Sequence, residues 1–129
     1  MSDLQELLTR IKTFRDRRDW KQFHRPKDLA EALSIEAGEV LELFLWKNHD
    51  EISEALKHTT YREELSDELA DVLHYLLLLA DAAGIDLVQA SKHKLQIAEQ
   101  NYPVEKSKGT ATKYTKLSSG EYPHQQGQE

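Results

Sequence analysis

The chain has 129 residues, 31% of them charged and 39% hydrophobic, with only five glycines and three prolines. That is an ordinary globular composition for one domain or one protomer of an oligomer, and it excludes a collagen-like or linker-like chain. Cysteine is absent, which excludes a disulfide framework, a thiolate metal site and a cysteine nucleophile. The net charge of −6 is unevenly spread: residues 1–91 are strongly acidic, whereas residues 92–116 carry six lysines against Glu99 and Glu105. A nucleic acid polymer would call for a broad basic face, which this chain lacks. A small anion held partly by the lysine-rich segment is compatible with it.

The elements read as all-α. Helix one is expected over Asp3–Arg18, opened by a Ser2/Gln5 capping box, with Leu4, Leu7, Leu8, Ile11 and Phe14 as its apolar stripe. The run Asp19–Pro26 breaks it and places two aromatics and a histidine in a loop. Helix two is expected over Leu29–Trp46 with Asp28 as its cap. A polar stretch follows, with a short helix around Ile52–Lys57. Helix three spans Arg62–Ala83 and stops at Gly84, a good residue for the left-handed end of a helix. Asp86 and Gln89 cap helix four, which runs to about Asn101 and ends at Tyr102-Pro103. Residues 105–117 form a separate basic segment, and residues 118–129 read as a disordered polar tail. The longest apolar run, Tyr75–Ala80, is far short of the ~20 residues of a membrane span. No basic-then-apolar leader opens the chain, so no membrane partner and a cytoplasmic setting are expected.

Placing the acids on helical wheels narrows the chemistry. On helix two, Glu36 falls inside the apolar arc of Leu29, Leu33 and Val40, and Glu39 lies at its edge. On helix three, Glu64, Glu68, Asp71 and Tyr75 share a sector about 60° wide, beside a leucine-rich face. Leu69 to Ala80 is apolar nearly all round, which predicts a central, buried helix. Like charges three and four residues apart repel, and carboxylates within core stripes are costly unless compensated. Two such pairs, Glu36-x-x-Glu39 and Glu68-x-x-Asp71, fit a divalent cation. Oxygen donors alone favour Mg²⁺, Mn²⁺ or Ca²⁺ over zinc. Solvated or salt-bridged carboxylates are the commoner use of such pairs. Lys94 shares a face with Leu87, Ala90 and Ala98, where a lysine snorkels, pairs with an acid or contacts a phosphate.

The run Arg18-Asp19-Trp20-Lys21-Gln22-Phe23-His24-Arg25-Pro26-Lys27-Asp28-Leu29-Ala30 resembles the opening of the MazG-like nucleotide pyrophosphohydrolases, more narrowly their dCTP pyrophosphatase branch. Glu36-Ala37-Gly38-Glu39, Phe44-Leu45-Trp46-Lys47 and Glu64–Leu73 continue the likeness, and Lys94, Tyr102-Pro103 and Lys113-Tyr114-Thr115 close it. The resemblance covers about residues 10–117. It implies a four-helix bundle assembled as a homodimer or homotetramer, and Mg²⁺-dependent hydrolysis (Mn²⁺ being an alternative) of a nucleoside triphosphate to monophosphate and pyrophosphate. By position, Glu36, Glu39, Glu68 and Asp71 would be the catalytic metal ligands. Lys94 would contact phosphates or the acids. Trp20, Trp46 and Tyr75 would line a base pocket with His24 nearby, and Lys113 and Tyr114 would close over the phosphates. Two positions depart from the branch: Ile11 where a histidine is common, and Ala98 where an asparagine is usual. Competing readings are an all-α dUTPase, a general NTP hydrolase and a non-enzymatic helical interaction module.

Overall fold

The computed structural model describes residues 2–117; the tail expected over residues 118–129 lies outside the described residues. The described residues are helical and irregular, with no strand among them. The helices are α1 (Asp3–Asp16), α2 (Pro26–Glu42), α3 (His49–Ala55), α4 (Thr59–Ala83), α5 (Leu87–Asn101), α6 (Val104–Ser107) and α7 (Tyr114–Leu117), with a 3₁₀ turn at Lys21–Phe23. They divide into two units, one with α1–α4 up to residue 86 and one with α5–α7 from residue 87.

Local signals set most of the boundaries. The Ser2 hydroxyl accepts from the Gln5 N–H at 3.3 Å while the Gln5 side chain accepts from the Ser2 N–H at 2.9 Å, so the capping box forms as read. Helix α2 starts earlier than expected. Arg25 is its N-cap and Pro26 occupies the first turn, where a fixed φ and a missing N–H cost nothing; Asp28 sits inside the helix and is not its cap. It also ends earlier, at Glu42, and the chain then turns through Trp46 in the left-handed region at φ 63°. The short helix α3 is capped by Asn48, whose side chain accepts from the Glu51 N–H at 2.9 Å. Helix α4 closes in a two-bond C-terminal motif: Ile85 N–H donates to Ala80 C=O and Gly84 N–H to Asp81 C=O, at 2.8 and 3.1 Å, with Gly84 at φ 69°.

In the first unit, α4 packs against both α1 and α2. Its inner face buries Leu77, Leu78 and Ala80, meeting Ile11 of α1 and Leu29 of α2 in the core. The expectation that α4 is apolar-buried all round does not hold, because Leu69 is 50% exposed. A surface ion pair, Lys12–Asp81 at 3.2 Å, joins α1 to α4, and such exposed pairs contribute at most about 1 kcal/mol. A second tether joins the end of α2 to the start of α4. The Tyr61 hydroxyl on α4 donates to the Leu43 carbonyl at the end of α2, at 2.7 Å, and its ring meets Phe44 edge-on.

In the second unit, Tyr102 and Tyr114 meet edge-on at 5.8 Å, which fixes α7 relative to the end of α5. No helix of the described residues is long and apolar enough to cross a membrane.

A Cβ placed on Gly84 or on Gly38 meets nothing within 4 Å, so backbone conformation alone decides what alanine does there. Gly84→Ala should destabilise the fold by about 1 kcal/mol, because φ is positive. Gly38→Ala, in the middle of α2, should stabilise it by about 0.5–1 kcal/mol. Urea denaturation of the two variants against the parent checks both signs.

Candidate active site

Helix α2 presents Glu36 and Glu39 three residues apart, and α4 presents Glu68 across the α2–α4 contact. One carboxylate oxygen from each lies within 4.8 Å of the other two, and all three residues are half-buried. Glu36 Oε2 and Glu68 Oε2 are buried with no hydrogen-bond partner. Buried acceptors are normally satisfied, and three carboxylates this close repel one another. Glu36 therefore has its pKa pushed up to about 7, first by burial, then by Glu39 and by the charges of Asp71 and Glu68. Glu68 is also raised, chiefly by its contact with Glu39 and then by burial. Either a proton shared with Glu39 or a cation would relieve the crowding. Oxygen donors with unspent lone pairs suit a hard divalent cation, so the residues present fit one.

Asp71 lies outside that group of three. It lies one turn beyond Glu68 on α4, close enough for its charge to raise Glu36, Glu68 and Tyr75. It also lines a cavity of about 600 Å³ walled by α1, α4 and the 19–25 loop. Apolar and aromatic side chains dominate that cavity, among them Leu7, Ile11, Phe14, Trp20, Tyr75 and Leu78. Its polar lining comes from Arg10, Arg15, His24, His74 and Asp71. Tyr75 is raised by burial first and then by the charges of Glu36 and Asp71, so its hydroxyl feels the acid cluster from inside the cavity. The ring of His24 meets Tyr75 edge-on at 6.4 Å, and burial with the nearby Arg15 charge lowers the pKa of His24.

The structure thus brings Glu36, Glu39 and Glu68 into one cluster, and Trp20, His24, Asp71 and Tyr75 to one cavity beside it. Trp46 is not in that cavity; it is 89% exposed. Glu64, which shares the azimuth of Glu68, is exposed and outside the cluster. Lys94, Lys113 and Tyr114 belong to the second unit, on α5, just before α7 and on α7. One residue escaped the sequence reading. Arg15 is 7% exposed and lines the cavity, whereas Phe14, assigned to the apolar stripe, is half exposed beneath the Arg18 guanidinium at 3.7 Å. Spacing held the signal, since Arg15 follows Leu7 and Ile11 at eight and four residues, a helical row.

A model of the MazG-like family matches residues 32–117. The chain belongs to the MazG-like family. Among its relatives are the dCTP pyrophosphatase 1 proteins of Mus musculus, 45% identical over 107 residues, and of Homo sapiens, 40% identical over the same length. Each alignment covers 83% of this chain and 63% of the relative, so the chain spans under two thirds of those proteins. Among solved structures, a pyrophosphatase from Archaeoglobus fulgidus DSM 4304 superposes with a TM-score of 0.74 at 42% identity, over 80% of this chain and 94% of that one. The all-α architecture of this MazG-like chain is shared with that structure.

The crowded carboxylates set a pH signature. Glu36 binds its proton more tightly in the folded state, so between its ordinary pKa of 4.5 and about 7 the folded state holds more protons than the unfolded one. Stability contributed by this group is full below that window and is lost as pH rises through it. The melting temperature of the cation-free protein relative to Glu36→Gln should therefore fall between pH 5 and 7.5. Added Mg²⁺ or Mn²⁺ should reverse the fall in the parent and leave Glu36→Gln nearly unmoved; calorimetric melts at several pH values check this.

Proposed function

We propose that this chain is a divalent-cation-dependent nucleoside triphosphate pyrophosphohydrolase, converting a (d)NTP to its monophosphate and pyrophosphate in upkeep of the nucleotide pool. The observation that carries the reading is the adjacency of two sites of opposite character: a carboxylate cluster short of positive charge, and an aromatic cavity that shares Asp71 with its surroundings. A nucleotide has the same two halves, an anionic chain that requires a cation next to carboxylates and a flat apolar base. The names of the relatives, dCTP pyrophosphatase and pyrophosphatase, support it.

In this reading Glu36, Glu39, Glu68 and Asp71 hold the cation, Mg²⁺ in preference and Mn²⁺ as a substitute. When bound, the cation neutralises phosphate charge and lowers the pKa of water. The carboxylates accept hydrogen bonds from the attacking water and so orient it, and its oxygen forms a bond to the α-phosphorus in line with the bond to the β-phosphate bridge. That bridge bond breaks, pyrophosphate leaves, and the proton of the water passes to Glu36 or Glu39. Trp20 and Tyr75 hold the base, a stacking contribution on the order of 1–3 kcal/mol per base, with His24 at the edge. Lys94, Lys113 and Tyr114, all of the second unit, are the candidates for phosphate contacts in this reading.

Assembly into a homodimer or homotetramer belongs to the same proposal. Trp46, Leu41, Phe23, Ile35 and Leu45 are more than half exposed, which is much apolar surface for a chain this size to leave in water. Covering Trp46 with a second copy would let it serve as a base-stacking residue from outside the cavity of its own chain. A nucleic acid polymer is not among the expected partners.

Removing even an outer-shell partner of a catalytic metal costs about 10–100-fold, so losing a ligand should cost about 100-fold or more. Glu39→Gln and Asp71→Asn should each lower pyrophosphate release by at least that factor while helical circular dichroism is retained. A panel of canonical and modified dNTPs with Mg²⁺, read for pyrophosphate against orthophosphate, tests the reaction class. Orthophosphate as the product, or normal turnover by both variants, would overturn it.

A further inference from the structure

Arg15 is the charged side chain that the described residues bury most completely. Arginine is almost never buried unless its donors are spent. Here Nε donates to Asp16 Oδ1 at 2.7 Å, and Asp16 is itself half exposed. No hydrogen bond of the two terminal nitrogens is formed among the described residues. In the same cavity His24 buries its Nδ1 with no partner. Arg10, His74 and Asp71 complete the polar lining, and the remainder is rings and aliphatic carbon. Donors without a protein partner on a side chain that is largely buried in the wall of a mostly apolar slot are the arrangement by which a site tells one flat ligand from another.

Resting on the reading of this cavity as the base pocket, we propose that Arg15 is a specificity-determining residue, whose forked N–H groups read a nucleobase edge carrying a carbonyl oxygen next to an unprotonated ring nitrogen. A guanidinium has donors and no acceptor. It therefore matches two adjacent acceptors, such as O6 and N7 of guanine. Cytosine presents O2 beside N3 in the same way. Uracil and thymine flank each carbonyl with a protonated N3, which sets donor against donor. Adenine places its amino group beside both N1 and N7. The pocket accordingly favours cytosine and guanine nucleotides and disfavours uracil, thymine and adenine ones. His24 closes the edge of the base beside Tyr75. Ile11, buried in the same wall, contributes no polar contact, and of the two guanidinium groups in the lining Arg10 is exposed whereas Arg15 is buried.

The test is kcat/KM for dCTP, dGTP, dUTP, dTTP and dATP with Mg²⁺, for the full chain and for Arg15→Met and Arg15→Lys, together with calorimetric binding of α,β-imido dCTP and dUTP. Charged hydrogen bonds are worth about 1.5–3 kcal/mol, so the preference for dCTP or dGTP over dUTP should shrink by about 10-fold or more in Arg15→Met, through KM and binding and not through kcat. Arg15→Lys keeps the buried charge and loses the fork, so it should fold and still lose the discrimination; it decides the matter if Arg15→Met does not fold. A parallel loss for all five nucleotides, or an unchanged ratio in a folded variant, would show a structural arginine and overturn the proposal. Trp20→Ala separates the two readings: unchanged binding of every nucleotide in that variant removes the base pocket itself, whereas weakened binding with an unchanged Arg15→Met ratio removes only the role of Arg15.

Discussion

Three carboxylates brought within 4.8 Å of one another, with two of their oxygens buried and unpartnered, are the constraint to which the rest of the first unit answers. Mutual repulsion would drive α2 and α4 apart if nothing opposed it. Opposition comes from the packing of α2 on α4, with Leu29 buried, and from the hydroxyl of Tyr61 anchored to the Leu43 carbonyl. The fold thus stores an electrostatic conflict at one place and covers it with packing at another. Carboxylates so arranged could hold a divalent cation, which would relieve the conflict.

The aromatic cavity gains its character from the same conflict. Asp71 and Tyr75 belong to the helix that carries Glu68, so the negative potential of the cluster reaches the cavity floor, while Arg15 and His24 occupy its opposite wall. One side of the cavity is thereby acidic and the other carries donors. The cavity is thus polarised from one side to the other, acid against donor.

Much of this was legible in the sequence where the determinants are local. Ser2 with Gln5 and Gly84 act within one turn of backbone, and both form as read. Glu36 stood out because it interrupts an apolar arc. A wheel gives azimuth but not height along the axis: Glu64 shares the sector of Glu68, yet it lies a turn away from the cluster and is exposed, in keeping with a candidate set that did not include it. Arg15, by contrast, was missed. A charge in a helical row is ordinarily read as a solvated residue, and only the neighbouring loop with Trp20 and His24 encloses it. Pro26 outcompeted Asp28 as the start of α2 because its ring fixes φ at no cost in the first turn.

The bond from Tyr61 to Leu43 has one more consequence. It staples together the two points where the polypeptide leaves α2 and enters α4, so everything between Phe44 and Thr60, α3 included, is an excursion whose ends are pinned. Lengthening a pinned excursion costs only about 0.6 kcal/mol per doubling. The separation of the two acidic motifs along the chain is therefore free to drift over evolutionary time, while their separation in space is not.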